Sequence, residues 1–428
     1  MTAGTSLPGA HNISRTVLEN GVTVLIYENF AAQSVVIAGS VQAGSQWETP
    51  AQNGLAAMTA NALMRGTQTR DFNAIAASLE DIGADLSISA GVHRASFYGK
   101  ALAEDLNVLI ELLADVLRQP TFPETQVERL RGETITSLKI RQQDTRYRAS
   151  RAFHESLYPA DHPYHYSVRG SIETVSALTP ADLAAFHRRF YGPRGMILAI
   201  VGAVTQAQAL AIVRAALADW QQPDQPPPQD LPAVPSVETA RRSIVRLAGK
   251  TQSDIVMGLP GPSRLSPDFH AAQIANSVLG QFGMMGRIGA SVREQAGLAY
   301  YAYSQLEAGM GPGPWSVAAG VNPANVENAI EKITQEIHRI TQEPISEDDL
   351  SDNVSYFVGH LPLQLESNEG IASSILNMEM YDLGLDYLVT YRARLEALTR
   401  EDILAAARRY LDPERLVIAI AGPNGSGG

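Results

Sequence analysis

The chain has 428 residues, a length typical of two or three domains, and 45% of them are hydrophobic, which is enough to build sizeable cores. The formal net charge is −12, and such an acidic surface disfavours binding to the phosphate backbone of nucleic acids. The sequence contains no cysteine, which excludes disulfide scaffolds, thiolate zinc sites and a cysteine nucleophile.

The sequence gives limited information about cellular location. No apolar run approaches the ~18 residues that a membrane span needs. The N-terminal residues MTAGTSLPGAHNISRTV contain no basic region followed by an apolar one, so no signal peptide is predicted, although a chain that starts after a removed signal looks the same. We expect a periplasmic location, with the cytoplasm as the alternative.

The first half of the chain mixes predicted strands and helices. A helix is predicted over residues 54–67, GLAAMTANALMRGT, ending at Gly66. No ionisable side chain lies between Gly54 and Met64, and taken alone the stretch fits an ordinary amphipathic core helix. The other predicted elements are a strand over 33–39, a strand pair over 84–102, an amphipathic helix over 105–117 and a helix containing 127–140, VERLRGETITSLKI.

The nine histidines give no clear metal or triad pattern. The segment HPYH, residues 162–165, has an i, i+3 pair, but its proline and tyrosine favour a structural loop over a metal site. His93 and His187 fit structural roles in a strand and a helix. A Ser/His/Asp triad has no supporting G-x-S-x-G motif.

A long segment of the first half is repeated in the second. Residues 177–202 align with residues 397–422 at a constant offset of 220 and without a gap. Eleven of the 26 pairs are identical, at first-half positions 177–179, 182, 185, 188, 189, 193, 199, 200 and 202. Each copy predicts a helix with a threonine N-cap and an acidic residue three positions on, then a proline turn and a buried strand.

A proline-rich segment separates the two copies. Residues 221–236, QQPDQPPPQDLPAVPS, contain six prolines and no apolar periodicity, which predicts a stiff, extended linker. The predicted organisation is an N-terminal half over 1–220, the linker over 221–236 and a C-terminal half over 237–428. Second-half counterparts of the earlier elements are a strand over 252–258, a helix over 269–280, a strand pair over 298–321 and a helix over 325–340.

This duplication resembles the insulinase/pitrilysin family of inverted-zincin peptidases, which includes the mitochondrial processing peptidase. The resemblance covers nearly the whole chain. It implies an α+β fold of two homologous halves, each a mostly antiparallel sheet covered by helices. Family members have the motif G-L-A-H-x-x-E-H-x-x-x-x-G-T, in which two histidines bind zinc and the glutamate acts on the metal-bound water.

The chain matches this motif in outline but lacks its chemistry. Gly54, Leu55, Ala56, Gly66 and Thr67 match. The residues at the ligand and base positions can neither bind zinc nor act on a metal-bound water, and an assisting glutamate is replaced by Leu130. The degenerate zinc-site positions are Ala57, Ala60, Asn61 and, on the later helix, Ser137. We therefore expect no metal in this chain and zinc in a partner subunit.

The second half retains another family feature. Residues 279–304, LGQFGMMGRIGASVREQAGLAYYAYS, resemble the family's stretch L-G-G-G-x-x-S-R-L…R-E…G-L-A-Y. The resemblance implies that Arg293 and Tyr300 are the family's catalytic Arg/Tyr pair. It also implies that the loop glycines, Gly280, Gly283 and Gly286, bind substrate. The alternative is that Arg293 interacts with its own helix dipole and Tyr300 is an ordinary strand aromatic.

Three hypotheses follow. The chain could be the subunit of a heterodimeric metallopeptidase that donates Arg293 and Tyr300 to a zinc-bearing homologue, inactive alone and acting on a peptide or unfolded protein. It could instead be a non-catalytic peptide-binding or scaffold protein of the same fold. The least favoured hypothesis is an independent hydrolase that uses unfamiliar residues.

Overall fold

The computed structural model describes residues 7–281 and 286–423, which form two compact units. Unit 1 takes its described residues from Met1–Thr136, Ser167–Asp230 and His360–Tyr391. Unit 2 takes its described residues from Ser137–Tyr166, Leu231–Gly359 and Arg392–Gly428. Both units therefore include residues from both sides of the proline-rich linker.

Within the described residues, the sheet of unit 1 has six strands in the spatial order β1-β2-β6-β3-β5-β4. They are β1 (Ile13–Val17), β2 (Thr23–Glu28), β3 (Ser34–Val41), β4 (Asp85–Ala90), β5 (Ala95–Leu102) and β6 (Ile197–Gly202). Only β2 and β6 pair in parallel; the other neighbours are antiparallel. Strand β6 lies in the middle and all of its residues are buried.

The sheet of unit 2, as far as the chain is described, has five strands in the order β7-β11-β8-β10-β9. They are β7 (Arg241–Arg246), β8 (Ser253–Pro260), β9 (Ala299–Leu306), β10 (Pro314–Val321) and β11 (Val417–Gly422). Strands β7 and β11 are parallel and the remaining pairs antiparallel. This order and these directions repeat β2-β6-β3-β5-β4, which confirms the predicted duplication and α+β fold.

Helices cover the two sheets. Those within unit 1 are α1 (Leu55–Ala62), α2 (Phe72–Glu80), α3 (Leu106–Arg118), α6 (Ile172–Ala177), α7 (Pro180–Phe190), α8 (Gln206–Leu217) and α12 (Asn368–Met380). Those within unit 2 are α5 (Thr145–Leu157), α9 (Phe269–Asn276), α10 (Val326–Gln342) and α14 (Arg400–Tyr410). Three helices have residues in both units: α4 (Glu124–Gln142), α11 (Glu347–Gln364) and α13 (Tyr387–Glu396). No helix of the described chain is long and apolar enough to cross a membrane.

Each sheet is packed by a helix from the other half of the sequence. In unit 1, α12 lies on β3 and β6, where Ile371, Ile375 and Met378 join the buried core. The Asn368 side-chain amide anchors the start of this helix by donating to the Ser34 carbonyl at 3.2 Å. In unit 2, α5 lies on β7, β8 and β11. Neither sheet is therefore fully covered by elements from its own half.

The repeated helix starts have the predicted caps. The Thr179 hydroxyl accepts from the Asp182 amide at the start of α7, and the Asp182 carboxylate accepts from the Thr179 amide. Thr399 and Asp402 make the same two hydrogen bonds at the start of α14. These capping boxes satisfy backbone donors that the first helical turn leaves free, so both copies of the repeat begin their helix in the same way.

Acid is expected to destabilise unit 1 through His187. Its Nε2–H donates to the Leu117 carbonyl at 2.8 Å, and burial lowers the pKa of His187 to about 4 from the usual 6.5. Because the folded pKa is depressed, the contribution to stability is complete above pH 6.5 and is lost as the pH falls towards 4. In the wild type, His187 should make the free energy of unfolding about 2 kcal/mol lower at pH 5 than at pH 7. We expect His187→Gln to abolish this part of the pH dependence.

Thermal unfolding at a series of pH values measures this difference. His338→Gln is the matched control, since His338 is exposed on α10. If both variants keep the wild-type pH dependence, buried neutral His187 is not a source of acid sensitivity.

Candidate functional site

The helix with the degenerate zinc motif is capped by a carboxylate from the preceding loop. Glu48 accepts hydrogen bonds from the amides of Gly54 and Ala56, at 3.0 and 2.5 Å, and from Asn53 Nδ2 at 3.2 Å. Burial raises the pKa of Glu48 to about 7, and the backbone hydrogen bonds limit that rise. Gly54 itself has φ +97 and has no side chain to cap the helix, so the Glu48 carboxylate acts as the N-terminal cap instead.

The four degenerate zinc-site positions differ in exposure. Ala57 is half-buried and Asn61 is exposed, so the i, i+4 face of α1 that would present two ligands is its open face. Ala60 is fully buried. Ser137 is half-buried on α4. In unit 1, α4 packs beside α1, with the Thr134 hydroxyl 3.5 Å from Met58 Sδ.

These residues do not fit a zinc ion. Alanine offers no lone pair, and neither the Asn61 amide nor the Ser137 hydroxyl is a usual zinc ligand. Within residues 7–281 and 286–423, no group of three or more histidine, aspartate or glutamate side chains is arranged to hold a metal. We therefore derive no chemical step through a metal held by this chain.

Arg293 lies in a π-helical segment, Gly289–Gln295, and its side chain is exposed. The segment stops at a turn in which Gly297 has φ +61, a conformation that favours glycine. The Gly297 amide donates to the Arg293 carbonyl at 3.1 Å, and the Leu298 amide donates to the Val292 carbonyl at 3.0 Å. The backbone of Arg293 is thereby fixed to the turn that leads into β9.

Tyr300 is the second residue of β9, the edge strand of the unit 2 sheet. Its neighbours pair with β10 as Ala299 with Val321 and Tyr301 with Gly320, so Tyr300 is the extra residue of a β-bulge. Bulges redirect a side chain and are frequent at sheet edges and beside active sites. Tyr300 is 63% exposed. Neither the Tyr300 side chain nor the Arg293 side chain has a hydrogen-bond or ion-pair partner among the described residues.

Two of the three loop glycines lie against each other. Gly280 has φ +158, and a Cβ built on Gly286 would lie 2.2 Å from Gly280 Cα. The two backbones are therefore in direct contact. Gly283 falls outside the described residues. Substrate binding by the three glycines stays a prediction, and the contact gives Gly286 a structural reason to be glycine.

Gly286→Ala is expected to destabilise the protein by about 1–3 kcal/mol, because the atoms it would meet belong to backbone that cannot turn aside. Gly359→Ala is the matched control, since a Cβ at Gly359 in α11 meets nothing within 4 Å. Alanine in a helix costs less than glycine, so this control should unfold at the same or a slightly higher temperature. Equal melting temperatures for wild type and Gly286→Ala would contradict the role of this contact.

The structure also contains a polar cluster of Tyr301, Asp254 and Arg146, which was not predicted from the sequence. Tyr301 donates to the carboxylate of Asp254 in β8, and Arg146 Nε in α5 donates to the Tyr301 hydroxyl at 3.0 Å. Asp254 is 1% exposed. The only sequence signal for this cluster is an aspartate within the predicted strand 252–258, and nothing local connects it to α5.

Comparison with known proteins gives the family. Residues 23–166 match the family model described as insulinase (peptidase family M16), and residues 177–355 match the one described as peptidase M16 inactive domain. An uncharacterized zinc protease of Streptomyces coelicolor is 26% identical over 98% of this chain and 92% of its own length. Mitochondrial cytochrome b-c1 complex subunit 1 of Bos taurus is 26% identical over 62% of this chain and 55% of its own length.

A solved structure agrees with this assignment. The crystal structure described as peptidase M16 inactive domain from Pseudomonas fluorescens superposes with a TM-score of 0.89 at 25% identity, covering 96% of this chain and 98% of that one. The predicted resemblance is thus confirmed along both halves of the sequence, and the chain belongs to the insulinase family, peptidase family M16.

Proposed function

We propose that this chain is the subunit without zinc of a heterodimeric M16 metallopeptidase. It donates Arg293 and Tyr300 to a substrate peptide at the zinc site of a homologous partner that has an intact H-x-x-E-H helix. The observation that supports this most directly is a contrast within the chain. The zinc positions hold alanine, asparagine and serine, whereas Arg293 and Tyr300 are both present and exposed, and their side chains have no hydrogen-bond or ion-pair partner among the described residues.

Arg293 and Tyr300 have suitable chemistry for this role. The guanidinium has several donors in a fixed plane, and the phenol has one more. Both can bind peptide carbonyls, and both stabilise negative charge that develops on the scissile carbonyl oxygen. The metal, the activated water and the general base come from the partner. This chain binds and orients the peptide and stabilises the transition state.

The edge of the unit 2 sheet supports the same proposal. Strand β9 has a neighbour only on its β10 side among the described strands, so its outer backbone groups can pair with an extended peptide. Tyr300 lies at the start of this edge. A peptide added there would meet the exposed phenol while satisfying its own backbone groups.

Assembly with the partner is the test of this proposal. Mixed with the H-x-x-E-H homologue of the same genome, the chain should form a 1:1 complex in native mass spectrometry. Elemental analysis should find zinc well below one atom per chain in this subunit alone and about one atom in the complex. A mixture that stays as separate proteins contradicts the proposal. The periplasmic location stays a prediction that fractionation of the source cells would check.

A second candidate is a non-catalytic scaffold or peptide-binding protein. The similarity to a cytochrome b-c1 complex subunit over 62% of the chain favours it, as does the loss of all four zinc-site positions. In that case the complex should form, and the rate of peptide hydrolysis should not depend on Arg293 or Tyr300.

A further inference from the structure

The direction in which the Tyr300 side chain points must be set by other residues of the protein. Tyr300 is 63% exposed and has no hydrogen bond of its own to any described residue. A bulged residue is also released from the regular alternation of the strand. Whatever holds the backbone on either side of the bulge therefore decides where the phenol points.

Two other residues restrict the ring of the adjacent residue, Tyr301. Gly320 of β10 lies so close that a Cβ there would be 2.3 Å from Tyr301 Cε1. The Arg146 guanidinium lies over the ring, with Cζ 3.9 Å from the centroid. These two close contacts leave the ring little room to move. The register change to Val321 occurs at this point.

The hydroxyl of Tyr301 is fixed as well. It donates to Asp254 Oδ1 and accepts from Arg146 Nε at 3.0 Å. Gln252 Nε2 donates to both oxygens of the Asp254 carboxylate at 3.1 Å, which fixes that carboxylate in turn. Burial, together with the bond to Asp254, raises the pKa of Tyr301 above its ordinary value, so the hydroxyl stays a neutral donor.

We propose that Tyr301, Asp254 and Arg146 are positioning residues that hold the β9 bulge so that Tyr300 points towards the substrate peptide. This inference rests on the proposed function. It adds to that function three residues on three different elements, β9, β8 and α5, none of which touches substrate. The cluster acts through Tyr300 alone.

The test is a double-mutant cycle in the complex of this chain with its zinc-bearing partner. Tyr301→Phe removes both hydrogen bonds of the hydroxyl and should lower kcat by about 10- to 100-fold, with KM changed far less, as expected for a misplaced catalytic group. In a Tyr300→Phe background, Tyr301→Phe should have no further effect on kcat, because the Tyr300 hydroxyl that it positions is already absent.

The matched control is Tyr303→Phe. Tyr303 lies on the same strand, its ring centroid is 5.8 Å from that of Tyr301, and its hydroxyl has no hydrogen-bond partner among the described residues. It should keep wild-type kcat. Asp254→Asn, which retains an acceptor for Tyr301, should keep most of the activity, whereas Gly320→Ala should lower kcat as Tyr301→Phe does. Melting temperatures and 1:1 assembly identify any variant that fails to fold.

The outcomes separate this inference from the proposed function. If Tyr300→Phe lowers kcat but Tyr301→Phe does not, or lowers it by the same factor in both backgrounds, the positioning role is overturned and the proposed function stands. If Tyr300→Phe alone keeps full activity, the proposed function is overturned, and the inference with it.

Discussion

Arg293→Ala is expected to lower the kcat/KM of the assembled peptidase by about 10²–10³-fold, the usual effect of losing one donor that stabilises transition-state charge. The loss should fall mainly on kcat, because the guanidinium binds the developing negative charge more strongly than the ground-state carbonyl. Tyr300→Phe should reduce the rate in the same way. Steady-state kinetics on the purified complex measure both effects.

Matched controls separate this effect from a general loss of charge. Arg246 is also an exposed arginine of unit 2 whose side chain has no partner among the described residues, but it lies on β7, the opposite edge of the sheet. Arg246→Ala should leave kcat/KM unchanged. None of these variants should alter the melting temperature of the chain or its affinity for the partner. Full activity in both Arg293→Ala and Tyr300→Phe would make the assignment of the pair wrong.

Residues 1–220 expressed alone are expected not to form a cooperative fold. They lack α12, whose Ile371, Ile375 and Met378 cover the sheet of unit 1. Full burial of each such side chain stabilises by about 1.5–3 kcal/mol. Three of them together are comparable with the 5–15 kcal/mol that stabilises a typical domain. The exposed face of the sheet should bind a hydrophobic dye and give no sharp thermal transition.

Supplying the missing helix is the control for this prediction. Co-expression of residues 1–220 with residues 237–428 should restore a sharp transition, because α12 returns to unit 1 and α5 to unit 2. A fragment of residues 1–220 that melts cooperatively without dye binding would show that the half before the linker is autonomous.

The duplication could be predicted because its signals are local. Capping residues, proline turns and apolar strands lie within segments such as 177–202 and 397–422, and the structure repeats them with the same neighbours and directions. Which helix covers which sheet could not be predicted. The local sequence of a helix such as α5 or α12 does not specify the sheet on which the helix packs.

The local structure around Arg293 and Tyr300 could not be predicted in full, for a similar reason. Arg293 and Tyr300 follow from a motif that resembles the family's, and their exposure agrees with a role in binding. The sequence predicts a strand pair over 298–321, but it does not predict the bulge that the structure has at Tyr300. The bulge lies beside the pair of Tyr301 with Gly320 of the neighbouring strand β10, and Arg146 in α5 contacts Tyr301. Contacts between distant segments of this kind leave no periodic signal in the sequence.

The central claim is that catalysis needs groups from two chains, and one measurement tests it directly. Peptide hydrolysis should be followed for this chain alone, for its zinc-bearing homologue alone and for their 1:1 mixture, each with and without a chelator. We expect hydrolysis in the mixture only, and we expect the chelator to abolish it. A mixture no faster than the zinc-bearing homologue alone would contradict a shared active site and make this chain a binding or scaffold protein.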